Sequence, residues 1–381
     1  MTENRVYLDY SATCPMAPQV NEAIYQWNRR HRGNPSSPHR FGQEAKIKLE
    51  ETRDILSESV GCLPAEIIFT SGGTESNNLA LIGTARALAS RGKHLIVSAV
   101  EHPSILECCA FLQRTGFDIS YVAPNTQGFL DPLSIQRHIK PDTILVSVMY
   151  VNNETGIIHP IAEIGQLCRD QGVLFHCDAV QALGKIPFAF NELPVDLMSL
   201  SAHKIYGPTG IGALIVKKGR PIENIHFGGG QESARRPGTE NMSGIVGFGA
   251  ALRDLKNHRD EFDRVQALQT YFEERVKAIF TDTRIIGKTR QRSPFISCLA
   301  FPGLDNQSLL LNLDLAGIAV SVGSACSSGS IKQSHVLTAM GLSETQTKGA
   351  LRFSFGRYTT LSEMDYTLEE LQRIIKNLKV Q

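Results

Sequence analysis

The run VLFHCDAVQALGKIPFAFNELPVDLMSLSAHKIYGPTGIGALIV (residues 173–216) decides the fold. It holds three short apolar segments, at 173–177, 197–201 and 212–216, with little polar alternation inside them. Strands that read as continuous apolar runs are buried on both faces, as in a mainly parallel sheet covered by helices. The first run leads into Asp178, and the second into Ser201, His203 and Lys204 with a Gly- and Pro-rich turn after them. Ligands of open α/β sheets bind beyond the carboxyl ends of the strands. Polar groups in those places are therefore candidates for chemistry.

The same alternation runs outward from about residue 44 to 255. Residues 66–70, 94–98 and 142–150 read as strands, and 75–90, 103–115 and 161–171 as helices. Past 255 the character changes. A long charged helix over 251–279, apolar strands at 297–301 and 351–355, and a closing helix at 362–378 predict a smaller α+β unit. An N-terminal strand at 6–8 is expected to join it, since termini often lie close together. The expected fold class is α/β: a large domain over 15–255, and a small one from 1–14 and 256–381.

A chain of 381 residues is long enough for two unequal domains. The formal net charge of +1 supplies no field that would recruit nucleic acid or an anionic membrane. No apolar run approaches the roughly 20 residues of a membrane span. Glu3, Arg5 and Asp9 break any secretory pattern at the start, so a cytoplasmic protein is expected. Eight cysteines are scattered without a C-x-x-C pair, so no intrinsic metal site is expected.

Four clusters at strand ends carry the chemistry. SGGTESNN (71–78) puts two glycines before a helix start, where free N–H groups and the helix dipole suit a phosphate. Asp178 is a carboxylate deep in the fold that needs a cationic partner. Lys204 stands where an amine, kept deprotonated by burial or nearby charge, does Schiff-base chemistry. His102, in VEHPSI, is placed to stack on a planar ring and move protons. Singly these read as a capped turn, a structural ion pair, a surface lysine and a structural histidine. Together they ask for a ligand with a phosphate, a ring nitrogen and an aldehyde, which describes pyridoxal 5′-phosphate (PLP).

With these residues in place, the sequence resembles the NifS/IscS-type cysteine desulfurases, class-V aminotransferase-like enzymes of PLP fold type I. The motifs that carry the resemblance span nearly the whole chain: YLDYSAT, RGNPSSPH, TSGGTESNN, EHPS, VNNETG, DAVQ, SAHKIYGPTGIGAL, GGGQE with RRPGTEN, GSACSSGS and LRFSFGR. The resemblance implies a large mainly parallel-sheet domain with helices on both faces plus a smaller α+β domain. It implies that Lys204 binds the cofactor aldehyde, Asp178 the ring nitrogen, and Gln181 and Asn153 the ring-hydroxyl side. His102 would stack on the ring and help move protons. Gly73, Thr74, Ser201 and His203 would hold the phosphate. Thr239 would reach the phosphate of a neighbouring subunit, giving a homodimer with shared sites. Arg352, with Asn153, would bind the carboxylate of L-cysteine.

Cys326 would take the substrate sulfur as a persulfide and pass it to an acceptor thiol or an iron–sulfur scaffold, with which it could share a cluster iron. The small, polar, Gly-rich residues around it suit a loop rather than a core element, and they resemble the longer-loop desulfurases. Longer family members carry a C-terminal extension that contacts the scaffold. This sequence ends at Gln381, soon after its last predicted helix, which leaves that contact open. Cys14 replaces the family's usual Thr and has no functional reading.

Two rival readings stand beside this one. Another PLP reaction, such as transamination, needs no nucleophilic thiol, although a selenocysteine lyase would use similar residues. A non-catalytic scaffold would not need Lys204, Asp178, His102, Cys326 and Arg352 together.

Overall fold

The computed structural model describes residues 5–256, 258, 260–288, 291–323 and 333–380. In chain order the strands are β1 (Val6–Tyr7), β2 (Ile67–Thr70), β3 (His94–Ser98), β4 (Asp118–Val122), β5 (Thr143–Ser147), β6 (Leu174–Asp178), β7 (Leu197–Ser201), β8 (Gly212–Val216), β9 (Arg284–Ile286), β10 (Ile296–Ala300), β11 (Ile318–Ala319) and β12 (Ala350–Ser354). Seven of them form one sheet in the order β2-β8-β7-β6-β5-β3-β4. β8 runs antiparallel to both β2 and β7, and the other pairings are parallel. Every residue of β2, β3, β5, β6, β7 and β8 is buried, so their apolar runs carry no alternation.

β4 was not apparent in the sequence. DISYV has only Ile119 and Val122 buried, and it sits at the edge of the sheet, so it lacks the unbroken apolar run of the central strands. The helix expected over 251–279 is two helices, Met242–Leu255 and Glu261–Ile279. Asn241 caps the first by accepting a hydrogen bond from the Gly244 amide, and the polar stretch 256–260 separates the two. The helix expected from residue 75 begins at Gly73 and passes through a π-helical turn at Leu79–Gly83.

Strand order reverses between β3 and β5. The chain steps outward from β3 to β4, then returns beside β3 with β5 and proceeds through β6 and β7. That reversal opens a crevice beyond the carboxyl ends of these strands. One apolar core lies on the sheet around Phe175, Phe190, Met198 and Phe248. Another, around Phe272, Ile296, Phe353 and Leu371, gathers residues 265–375 together with Val6 and Leu8. β9, β10 and β12 form an antiparallel sheet beside it, and β1 pairs in parallel with β11.

Candidate active site

A cavity of about 460 Å³ opens at the carboxyl ends of the central strands, within the range of small-molecule and cofactor sites. Gly73, Thr74, His102, Asn153, Asp178, Gln181, Ser201, His203, Lys204 and Arg352 all line it. Asp9, Ser11, Ala12, Asn77 and Ser104 complete much of the wall. The lining residues come from segments as far apart as 9–12 and 352, so only the folded topology brings them together.

At one end the backbone forms a cradle. The helix Gly73–Asn78 has no side-chain cap, and its first residues, Gly73 and Thr74, line the cavity. A Cβ on Gly73 would sit 2.8 Å from Val180 Cγ2, so the close approach requires glycine. Thr74, Ser201 and His203 border the same end. Burial, then Lys204 and Lys185, lower the His203 pKa to about 4. It is therefore a neutral hydrogen-bonding group near pH 7, with Nδ1 3.1 Å from Thr13 Oγ1.

Asp178 ends β6 and is buried. Its Oδ2 accepts from Asn77 Nδ2 at 2.8 Å and its Oδ1 from the Val180 amide at 3.0 Å. Among the described residues it forms no ion pair with Lys, Arg or His. A buried carboxylate held by neutral donors alone has capacity for a cationic ligand atom. Asn77 also donates to Ser104 Oγ at 2.9 Å, and that hydroxyl lies 2.9 Å from His102 Nδ1. One asparagine therefore ties the carboxylate to the histidine. His102 caps the helix Pro103–Arg114, which fixes its ring at the cavity wall. Shielding from water lowers its pKa; Asp178 opposes the shift, while Lys204 and His335 add to it.

Lys204 follows β7 in a short 3₁₀ turn whose next residue, Tyr206, is left-handed at φ 63°. Its amine donates to the carbonyls of Ser11 and of Ala12, the latter at 2.6 Å. Burial, then the charges of Lys185 and Arg352, bring its pKa from 10.5 down to about 7. A substantial share of the amine is unprotonated near neutrality, as a nucleophile toward an aldehyde must be. Cys14 lies beneath it, its thiol 3.3 Å from the Lys204 carbonyl oxygen. Burial raises the Cys14 pKa, so the thiol stays neutral and packs as a small apolar group.

Arg352 projects from β12 with its guanidinium buried. Nη2 pairs with Asp9 Oδ1 at 2.7 Å and Nη1 donates to the Asn153 carbonyl at 2.9 Å. Each of these nitrogens keeps a second N–H for a carboxylate entering the cavity. Ser11 Oγ and Asn77 Oδ1 are buried polar atoms without a partner on this wall.

Thr239 lies elsewhere. It borders a surface hollow with Glu75, Phe227, Gln231 and Arg236. Arg236 ties that hollow to the cradle helix through Glu75, at 2.8 Å. Cys326 falls outside the described residues; Ser321 and Gly323, which precede it in the sequence, line the cavity. Sequence reasoning missed the bridging roles of Asn77 and Ser104, although both sit inside motifs it had singled out.

A cradle of amides and hydroxyls, an unpaired buried carboxylate and a low-pKa amine thus share one cavity. They fit a ligand with a phosphate, a ring nitrogen and an aldehyde. Comparison with known proteins places this geometry in context. Residues 6–367 match the model of the class-V aminotransferase family. A cysteine desulfurase IscS of Dictyoglomus turgidum is 44% identical over 99% of this chain and 96% of its own. A solved NifS-like protein superposes with a TM-score of 0.92 at 34% identity, covering 98% of this chain and 100% of that one. A NifS-like protein from Rickettsia africae gives 0.89 at 32%, with the same coverage.

Proposed function

The chain belongs to the class-V aminotransferase family and, within it, to the cysteine desulfurases, and from that premise we infer which of its residues carry out each part of the reaction. It is a PLP-dependent enzyme of fold type I that converts L-cysteine to L-alanine and transfers the sulfur. When bound, PLP supplies an electron sink for the substrate's α-carbon.

With PLP bound, Lys204 would hold its aldehyde, and the same amine, neutral near pH 7, would serve as the base that takes up and returns the substrate's α-proton. Asp178 would face the ring nitrogen. His102, anchored through Ser104, would lie against the ring. Gly73, Thr74, Ser201 and His203 would hold the phosphate, and Gln181 and Asn153 would border the ring-hydroxyl side. Arg352 binds the substrate carboxylate with its free N–H groups, beside Asn153. Cys326, as thiolate, attacks the substrate sulfur. An S–S bond forms, the Cβ–S bond breaks, and a proton replaces sulfur on Cβ. L-cysteine and one enzyme thiol thus give L-alanine and one persulfide, in balance. The persulfide passes to an acceptor thiol or an iron–sulfur scaffold.

The observation that carries this reading is the convergence in one cavity of Lys204, with its amine near pKa 7, and Asp178, which has no basic ion-pair partner among the described residues. We assign residues 15–255 to the cofactor domain, and 1–14 with 256–381 to a small domain bearing Cys326. The second apolar core, which gathers Val6 and Leu8 with residues 265–375, supports that division, while Tyr10 and Cys14 pack in the first core at its boundary. No helix among the described residues is long and apolar enough to cross a membrane, which accords with a cytoplasmic enzyme. Thr239 completes the phosphate site of a second copy in a homodimer.

The direct test is Lys204→Ala. The variant is expected to lose the visible absorption of bound PLP and all alanine formation. A spectrum and turnover like the wild type would overturn the assignment.

A further inference from the structure

Lys185 is a buried lysine, 5% exposed, that the reaction above does not use. Its amine donates to Gln181 Oε1 at 2.6 Å, four residues back along the chain. Among the described residues it makes no ion pair, and its Nζ lies 6.0 Å from the centroid of the Phe295 ring. A lone buried amine is costly, so its retention calls for a reason. The charged and titratable groups it faces are the Cys14 thiol, Arg352 and Glu261, together with Lys204 and His203.

The reason lies on the other side of Gln181. Its Nε2 donates to the Ser11 carbonyl at 2.8 Å. A backbone carbonyl only accepts, so the amide nitrogen must face Ser11, and the oxygen then faces Lys185. The same Ser11 carbonyl also accepts from Lys204. Lys185, Gln181, Ser11 and Lys204 thus form one hydrogen-bonded relay. Gln181 lines the cavity and Lys185 does not, so Lys185 reaches the site only through the glutamine.

We propose that Lys185 is a positioning residue: by holding the Gln181 oxygen away from the cavity, it leaves Gln181 only a donor to offer there, and so selects a ring ligand whose oxygen on that side is ionised. The proposal rests on the cavity being the PLP site. It gives the ring-hydroxyl wall a fixed polarity, with the Gln181 amide held at both ends, its nitrogen by Ser11 and its oxygen by Lys185.

The test is a pH titration of the visible band of the PLP-loaded protein, wild type beside Lys185→Met, with PLP content measured in each. Methionine keeps the unbranched chain and removes the donor. Losing that donor weakens the preference for an ionised ring oxygen and takes away a basic group beside Lys204. Both changes help the titrating group keep its proton. The expected result is a midpoint about one pH unit higher in the variant at full PLP content, as losing a hydrogen bond to a charged group implies. An unchanged midpoint at full content overturns the proposal.

If Lys185→Met does not fold, a crystal structure of the PLP-loaded wild type decides instead. Lys185 Nζ within hydrogen-bond distance of Gln181 Oε1 supports the proposal, and a separation beyond about 4 Å overturns it. A wild type that takes up no PLP would instead overturn the reading of the cavity.

Discussion

At the residue scale, Lys204, Asp178, His102 and Arg352 meet in one cavity. Lys204 and Asp178 stood out because charged groups follow apolar strands, a pattern visible in one dimension. The lowered pKa of Lys204 comes first from burial and then from Lys185 and Arg352, which only the fold brings near. Asn77 was equally hidden, since its two partners lie 27 and 101 residues away. A pH dependence follows. Capture of PLP by the apoprotein needs the neutral amine, so its rate should rise about tenfold per pH unit below 7 and level off above it. Measured reconstitution rates that keep climbing toward the ordinary lysine value of 10.5 would contradict this. The sign for stability agrees. Between about 7 and 10.5 the unfolded chain binds the extra proton, so this lysine makes the apoprotein more stable as pH rises through that window.

At the element scale, the fully buried strands were the readable part, because their apolar runs are unbroken. DISYV escaped because it is an edge strand, and the 251–279 helix was merged because charge periodicity continues across the break. A turn that sequence could not foresee holds the hollow around Thr239. Glu232, Ser233 and Ala234 all have positive φ, at 47°, 57° and 60°, a costly conformation for side chains with a Cβ. Arg53 anchors the turn: its Nη2 pairs with Glu232 Oε1 at 2.7 Å, while Glu232 Oε2 accepts the Phe69 amide at 2.8 Å. Both side chains are buried. Arg53→Ala should therefore cost about 3–5 kcal/mol by leaving a buried carboxylate unpaired. A urea-unfolding loss below about 1 kcal/mol, the scale of a surface pair, would contradict that account.

At the scale of the whole molecule, function depends on parts that meet only after folding or assembly. The cavity draws on both ends of the chain, since Asp9 and Arg352 pair across it. Thr239 lies outside it, on a hollow beside Phe227, which is 85% exposed. A second copy of the chain would give both residues a role. Sedimentation should show a dimer, and a variant held monomeric should retain PLP poorly. Tight retention by a true monomer would refute the shared site. The central claim concerns the sulfur itself, and the most direct measurement is alanine release from L-cysteine with a thiol reductant, wild type beside Cys326→Ser. The account predicts that both proteins bind PLP and that only the wild type forms alanine and sulfide. Equal turnover by the serine variant would contradict it, and would make Cys326 a bystander to the reaction.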